Sequence, residues 1–329
     1  MSWAQTILTP LSPLYEAGAR ARVWAYRSGV FSTHNLPGRV ISVGNLTVGG
    51  TGKTPMVLWI AQRLVASGKG VGVLTRGYRG SGSTSDEVRL LQSRLGNTVK
   101  FGVGADRFEQ GSILAREGIR WFLLDDGFQH LQLARDVNIL LIDAANPFGG
   151  GKLLPAGRLR EPRSAMSRAS AIVITRSEHA PAIESAIRLD SSAPIFYARA
   201  TLDGVFSVEG DDANAVKQSR DAKWFAFCGI GNPDAFAADL KAWGLSVTGR
   251  RAFKDHHAYT QADLDAIALA AERVDATRLI CTEKDKFNLP PGARTRLPIS
   301  YCRISLRVDR SDDLLRLILG DAAGTQQWC

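Results

Sequence analysis

A glycine-rich segment ending in Gly-Lys-Thr is the part of the sequence whose chemistry can be named first. Thr47 stands where the standard phosphate-loop pattern has glycine, and Gly44 lies three residues earlier. Glycine N–H groups can approach phosphate oxygens closely, Lys53 can reach the β- and γ-phosphates, and the Thr54 hydroxyl can ligate magnesium. The segment therefore predicts ATP or GTP binding by Thr47, Val48, Gly49, Gly50, Thr51, Gly52, Lys53 and Thr54.

Two adjacent carboxylates, Asp125 and Asp126, end the apolar stretch that begins at Trp121. This arrangement holds nucleotide magnesium in phosphate-loop enzymes. Successive side chains on an extended chain point in opposite directions, so we expect one aspartate to reach the metal and the other to orient a neighbouring group. An acidic turn at the end of a strand is the alternative interpretation.

Phosphoryl transfer needs charge neutralisation and modest help in removing the acceptor proton. Asp86 in a polar loop and His256 far along the chain are candidates for the second task, and ordinary solvated side chains are the alternative. Arginines at positions 158, 160 and 163, with Arg76 and Arg79 elsewhere, favour a phosphorylated acceptor. A solvated basic face is equally compatible with that composition.

These residues need a scaffold, and the apolar pattern predicts one. Five strands, within 40–43, 71–74, 121–124, 137–142 and 171–174, alternate with helical stretches. This predicts a doubly wound, mainly parallel α/β sheet with ligands beyond the carboxyl ends of its strands. Residues 201–222 read as a loop-rich crossover before a second, smaller α/β unit. That unit has strands at 224–228 and 279–281.

Composition narrows the classes of protein. The chain has 329 residues, 45% of them hydrophobic, a net charge of +9 and a pI of about 9.6, which favours polyanionic partners. Its four cysteines, Cys228, Cys281, Cys302 and Cys329, form no metal or disulfide pattern. We expect no secretion signal, and no apolar run approaches the roughly 20 residues of a membrane span.

The first thirty residues combine apolar bulk, such as Trp3, Leu14 and Trp24, with Arg20 and Arg22. An interfacial membrane helix and an N-terminal helix packed on its own domain both fit, because Pro10 and Pro13 interrupt the helical periodicity.

Four motifs taken together resemble the tetraacyldisaccharide 4′-kinases of lipid A biosynthesis. They are residues 44–55, Arg76-Gly77-Tyr78, residues 125–130 and residues 154–162. Residues 135–141, 253–256 and 282–285 continue the similarity in order over nearly the whole chain. The family usually has Gly-Asp-Glu-Pro where this chain has Ser85-Asp86-Glu87-Val88.

The resemblance implies a P-loop NTPase-like core at 31–205 and a smaller α/β domain at 206–329 that closes the cleft. It implies transfer of the ATP γ-phosphate, with Mg²⁺, to the 4′-hydroxyl of a tetraacylated glucosamine disaccharide 1-phosphate. It also implies a membrane-associating helix at 1–30 and a peripheral position on the cytoplasmic face of the bacterial inner membrane, whose anionic surface would be a partner. We expect no nucleic-acid partner and no obligate protein partner.

The resemblance also implies residue roles. Asp86 would be the base paired with His256, and Lys53 and Asp126 would support the transition state. Metal ligands would come from Thr54, Asp125, Asp126 and Glu161. The acceptor site would contain Asn45, Arg76, Gln129, His130, Arg158 and Arg160.

Two other classes remain as alternatives on the sequence. A regulatory or metallocentre-assembly NTPase would use the phosphate loop as a switch, but residues 282–285 have the wrong spacing for guanine recognition. A nucleic-acid-dependent ATPase would fit the pI but lacks an aromatic and basic binding element.

Overall fold

A computed structural model describes residues 9–77, 85–209 and 222–320 of the chain. Trp3, Tyr78, Arg79 and Cys329 lie outside the described residues. Backbone contacts divide the chain into two compact units. Unit 1 comprises Met1–Arg79, Leu95–Arg199 and Arg307–Cys329, and unit 2 comprises Gly80–Arg94 and Ala200–Leu306.

Helices and strands alternate along the first part of the chain, as predicted. In order they are α1 (Ser12–Arg27), β1 (Arg39–Asn45), α2 (Lys53–Ala66), β2 (Val71–Thr75), α3 (Asp86–Leu95), β3 (Val99–Val103), α4 (Arg107–Arg116), β4 (Trp121–Asp125), β5 (Val137–Asp143), β6 (Ala171–Thr175), α5 (Pro181–Arg188) and β7 (Ile195–Ser207). The remaining elements are β8 (Lys223–Cys228), α6 (Pro233–Ala242), β9 (Ser246–Ala252), α7 (Gln261–Glu272), β10 (Arg278–Thr282), α8 (Glu283–Lys286), β11 (Ile299–Val308) and α9 (Ser311–Leu319).

Unit 1 is built on strands in the order β3-β2-β4-β1-β5-β6-β7, and the pairings between these neighbours are parallel. The register places Val43 of β1 opposite Asp125 of β4 and Ile139 of β5. Because parallel strands end at a common edge, the loop after β1 and the carboxylates after β4 emerge side by side. This confirms the predicted α/β class.

Burial explains why these strands could be recognised. All five residues of β2 and all seven of β5 are buried, the near-continuous apolar pattern of a parallel sheet covered on both faces. Phe122 and Leu124 of β4 pack in one cluster with Leu114 and Ala115 of α4. Helix α2 packs on β1, β2 and β4, which fixes the start of α2 next to the sheet edge.

Unit 2 contains the strand order β7-β11-β10-β8-β9. Alternate residues of β8 enter different clusters: Phe225 and Phe227 pack with α7, whereas Trp224, Ala226 and Cys228 pack with α6. Since side chains alternate across a strand, the two helices cover opposite faces. The predicted second α/β unit is confirmed.

Several strands have a weaker apolar pattern than the sequence led us to expect. Residues 201–222 were expected to form a loop-rich crossover, but β7 continues to Ser207. In its last seven residues only Val205 and Phe206 are buried, so the apolar signal of a strand is weak there. Strands β3, β9 and β11 also escaped prediction. The domain boundaries expected at 31 and 206 stay a prediction, and residues 86–94 of α3 group with unit 2.

The N-terminal segment forms a helix despite its prolines. Pro13 lies in the first turn of α1, where a missing N–H costs nothing. Leu14 and Trp24 of this helix are 73% and 63% exposed. Among the described residues, no helix has both the length and the apolarity required to cross a bilayer.

Candidate active site

The loop between β1 and α2 depends on glycine at two positions. Gly49 has φ +123°, and a Cβ added there would lie 2.5 Å from an Nη atom of Arg158. Gly52, which caps α2, has φ +86°. Only glycine adopts these conformations without strain. The Thr51 hydroxyl oxygen is buried and has no hydrogen-bond partner among the described residues, as expected if a ligand occupies the loop.

A second segment, residues 157–161, runs along this loop. The Val48 N–H donates to the Arg158 carbonyl at 2.8 Å, and the Arg160 N–H donates to the Leu46 carbonyl at 2.7 Å. The Arg158 guanidinium also donates to the Val48 carbonyl, at 2.9 Å and 3.2 Å. Backbone hydrogen bonds therefore bring two of the predicted arginines to the phosphate loop.

Lys53 is the centre of a polar network in unit 1. Its Nζ atom lies 3.3 Å from Asn45 Oδ1 and 3.6 Å from Asp126 Oδ1. One Nη atom of Arg160 lies 3.1 Å and 2.9 Å from the two Asp126 oxygens. Gln129 Nε2 donates to the Asn45 carbonyl at 3.0 Å. The structure thus joins five residues that the sequence analysis had selected.

Asp126 is ionised in this network. Desolvation would raise the pKa of its carboxyl, but the charges of Lys53 and Arg160 hold that pKa below its usual value. Its backbone has φ +52°, a conformation that aspartate tolerates better than most residues. The carboxylate is thereby turned towards the lysine of the phosphate loop.

The oxygen donors at this edge suit magnesium. Asp125 is buried at the end of β4, and Thr54 is the second residue of α2. Within the described ranges no cluster of three or more His, Cys, Asp or Glu residues could hold a metal ion. Magnesium at nucleotide sites commonly takes one or two carboxylates and completes its shell with phosphates and water, so Thr54 and Asp125 fit such a site. Glu161, the remaining predicted ligand, is ion-paired with Arg168 at 2.7 Å.

His130 and Arg76 lie at a more basic part of unit 1. Burial and the charges of Arg107 and Arg135 lower the pKa of His130 to about 4. His130 is therefore neutral near pH 7 and can only offer a neutral hydrogen-bonding group. Burial lowers the pKa of the Arg107 guanidinium, and the charge of the exposed Arg76 nearby acts in the same direction.

A cavity of about 360 Å³ lies between α1 and this network. Helix α1 contributes Tyr15, Gly18, Ala19, Arg22 and Val23, and the opposite wall contains Gln129, Leu131, Arg160 and Glu161. The Tyr15 hydroxyl donates to the Arg160 carbonyl at 3.1 Å. The volume lies near the lower end of the range for small-molecule pockets.

Unit 2 brings together Asp86 and His256. His256 Nδ1 lies 3.0 Å from each carboxylate oxygen of Asp86, the first residue of α3. Asn288 Nδ2 donates to Asp86 Oδ2 at 3.0 Å, and the Glu87 N–H donates to Oδ1 at 2.9 Å. The Asp86 side chain is 4% exposed and that of His256 is 35% exposed.

These contacts determine the charges of the pair. Burial would raise the pKa of Asp86, but hydrogen bonds from His256 and Asn288 and the charge of Lys284 hold it below its usual value. The hydrogen bond to Asp86 raises the pKa of His256, against the effects of burial and Lys284. The pair can therefore accept a proton at an ionised carboxylate.

Sequence reasoning missed two contacts of this pair. Lys284 was noted within residues 282–285 but was given no role, and Asn288 gave no signal at all. One signal was available in the sequence. Thr282 and Asp285 follow a strand and form a capping box, which indicates that a helix starts at the strand end and presents Lys284 there.

Known proteins resemble the chain over most of its length. Residues 4–322 match the family model of the tetraacyldisaccharide-1-P 4′-kinases. The tetraacyldisaccharide 4′-kinase of Geobacter metallireducens is 40% identical over 319 residues, covering 91% of this chain and 92% of the relative. That of an Anaeromyxobacter species is 36% identical over 345 residues, covering 96% and 92%.

A solved structure agrees with these sequence matches. The crystal structure of Aquifex aeolicus LpxK in complex with ATP superposes with a TM-score of 0.74 at 29% identity, covering 96% of this chain and 99% of that one. The resemblance seen in the motifs is confirmed, and the regulatory NTPase alternative is not favoured. The chain belongs to the tetraacyldisaccharide-1-P 4′-kinase family.

Proposed function

We propose that the protein transfers the γ-phosphate of ATP to the 4′-hydroxyl of a tetraacylated glucosamine disaccharide 1-phosphate. The observation that carries this proposal is the phosphate loop after β1, with Lys53 3.6 Å from Asp126, in a chain of this family. The strand, glycine loop and helix start form the arrangement that binds triphosphates in P-loop enzymes.

Unit 1 holds the nucleotide in this proposal. The N–H groups of residues 47–54 bind the phosphates, and Lys53 neutralises charge that develops between the β- and γ-phosphates. Asp126 and Asn45 keep the Lys53 side chain directed towards the loop. Thr54 and Asp125 would hold Mg²⁺, which supplies charge neutralisation of the phosphates when bound. A contribution of Glu161 to the metal site stays a prediction.

The cavity beside α1 is the acceptor site in this proposal. Its volume suits one sugar ring, and Gln129 and Arg160 offer it polar contacts. Arg158 and Arg76 supply further positive charge for the phosphate of the acceptor, and His130 supplies a neutral contact. Acyl chains would extend along the exposed apolar side chains of α1.

Asp86 is the base in this proposal, and His256 orients it. Its carboxylate is ionised and fixed by three hydrogen-bond donors, so it can accept the 4′-hydroxyl proton during in-line attack. Reaction requires the hydroxyl to replace one of these donors or to use the remaining lone pair.

We propose a peripheral position at the cytoplasmic face of the inner membrane. Leu11, Leu14 and Trp24 are half or more exposed on or beside α1, and Arg20 and Arg22 accompany them. Such side chains enter the boundary between headgroups and acyl chains, while arginines attract anionic lipids. Co-sedimentation with vesicles containing phosphatidylglycerol, compared with vesicles of phosphatidylcholine, tests this part. A Leu14→Ser/Trp24→Ser variant should bind the former at least about tenfold more weakly.

The decisive experiment incubates purified protein with γ-labelled ATP, Mg²⁺ and detergent-dispersed tetraacyldisaccharide 1-phosphate. A bisphosphorylated lipid detected by mass spectrometry supports the proposal, and the deacylated sugar should react far more slowly. A rate of ATP hydrolysis that is unchanged by the lipid but is increased by nucleic acid would contradict the proposal.

A further inference from the structure

Lys284 contacts both members of the proposed acid–base pair. Its Nζ atom lies 3.4 Å from His256 Nε2 and 3.7 Å from Asp86 Oδ2. Two further carboxylates, those of Glu87 and Asp255, lie 3.4 Å and 3.7 Å from the same nitrogen. One partly buried ammonium group thus faces three carboxylates and the outer nitrogen of the histidine.

Hydrogen bonds on both sides of Lys284 hold the segment that carries it. Thr282 and Asp285 form a reciprocal capping box at the start of α8. The fully buried Asp285 accepts hydrogen bonds from the Gly229 N–H at 2.8 Å and the Tyr259 hydroxyl at 2.9 Å. The Gly229 carbonyl in turn accepts the His256 N–H at 3.0 Å. Lys284 and His256 are therefore linked through one hydrogen-bond network around Asp285 and Gly229.

The contacts of Lys284 also determine which nitrogen of His256 carries a proton. An ammonium group has only donors, so His256 can accept from Lys284 at Nε2 while its Nδ1–H donates to Asp86. The charge of Lys284 favours the ionised form of Asp86 and opposes a second proton on His256. Asp255, 3.9 Å from His256 Nε2, acts in the opposite direction on the histidine.

We propose that Lys284 is a positioning residue that keeps Asp86 ionised and opposes protonation of His256 at Nε2. The proposal rests on the proposed function only in giving this pair a catalytic task. Burial would lower the pKa of Lys284, but Glu87, Asp86 and Asp255 hold it above its usual value, so the ammonium form persists.

The first test needs no substrate. NMR titration of the five histidines, with His256→Gln to assign the signal, gives the protonation midpoint of His256. Lys284→Met should raise this midpoint by about one pH unit, because one positive charge near 4 Å is lost. Lys284→Arg, which keeps the positive charge, should leave the His256 midpoint close to that of the unmodified protein. Asp255→Asn should lower the midpoint, and Lys241→Met, at an exposed lysine in the last turn of α6, should leave it unchanged.

The second test follows turnover. The acidic limb of the pH profile of kcat/KM should move to higher pH by about one unit in Lys284→Met, with ATP affinity unchanged. Lys284→Gln, which loses the charge but keeps a donor, should show the same shifts and serves if the methionine variant does not fold. Unchanged His256 midpoints in both folded variants would overturn the proposal. Absence of kinase activity in the unmodified protein would instead count against the proposed function and leave the titration readable.

Discussion

The phosphate-loop network and the Asp86–His256 pair are assembled in different ways. Lys53 and Asn45 are 8 residues apart, and the loop between them is shaped by its own backbone. Asp86 is 170 residues from His256 and 202 residues from Asn288. The phosphate loop is a local structure held by a sheet, although Gln129 and Arg158 join it from 84 and 110 residues away, whereas the Asp86–His256 pair exists only when three distant segments have packed. We expect substitutions in the phosphate loop to lower turnover, and substitutions around the Asp86–His256 pair to lower both turnover and the free energy of unfolding.

The largest effect should come from the local region. Lys53→Ala should reduce kcat by about 10³-fold, because a charge directed at the transferring phosphate is lost. Thermal melting should change little, because Asp126 keeps its ion pair with Arg160 when Lys53 is removed. A large fall in melting temperature would contradict the distinction between the two regions, because it would show that the phosphate-loop network contributes strongly to stability. Steady-state kinetics and calorimetry on the same sample decide between these outcomes.

Asp86→Asn should reduce kcat by about 10²-fold and leave the dissociation constant for ATP within about twofold of the original. The amide keeps the shape of the side chain but cannot take the acceptor proton. Isothermal titration with a non-hydrolysable ATP analogue measures the binding. Loss of nucleotide affinity would show that the two regions are not separable.

Arg94→Ala tests the fold sensitivity of the second region. Arg94 of α3 lies 2.9 Å from Glu283, and both side chains are largely buried. Removing it leaves a buried carboxylate with Arg303 alone, which should cost about 3 kcal/mol of unfolding free energy in urea. Lys100→Ala removes one member of the exposed Lys100–Glu117 pair and should cost less than about 0.5 kcal/mol. Equal losses would contradict the distinction.

Arg160→Lys sharpens the comparison within the local region. Lysine keeps the charge but has one nitrogen in place of three, so it cannot contact Asp126 and also offer further N–H donors to the cavity. We expect the KM for the lipid to rise about tenfold while the KM for ATP changes little. A selective rise in the KM for ATP would assign Arg160 to the nucleotide side instead.

The smallest effect is a pH dependence of stability. His256 has a raised pKa in the folded protein, so its stabilising contribution is complete below the unfolded value of about 6.5 and is lost as the pH rises through the folded pKa. The difference in melting temperature between the unmodified protein and His256→Gln should therefore be larger at pH 6 than at pH 9. A difference that grows with pH would reverse the assigned direction.

The same contrast explains what the sequence could predict. Strands β1, β2, β4, β5 and β6 are buried over all or nearly all of their length, and the phosphate loop needs specific glycines, so both leave a clear pattern in consecutive residues. The resemblance to a family, and not the spacing, supplied the pairing of Asp86 with His256. Lys284 and Asn288 escaped because their contacts with Glu87 and Asp86 span 197 and 202 residues and leave no local signal. β11 escaped because four of its ten residues are only partly buried.

Helix α3 has a consequence for synthesis of the chain on the ribosome. Its residues 86–94 group with residues 200–306, yet they are translated more than a hundred positions earlier. Arg89 and Arg94 of this helix donate to the Phe287 carbonyl at 2.6 Å and to Glu283 at 2.9 Å, so these contacts form only after residues 283–287 have been synthesised. The protein therefore cannot fold strictly in order from its N-terminus. A chimaera that exchanges only the C-terminal half between relatives would replace the residues that α3 contacts.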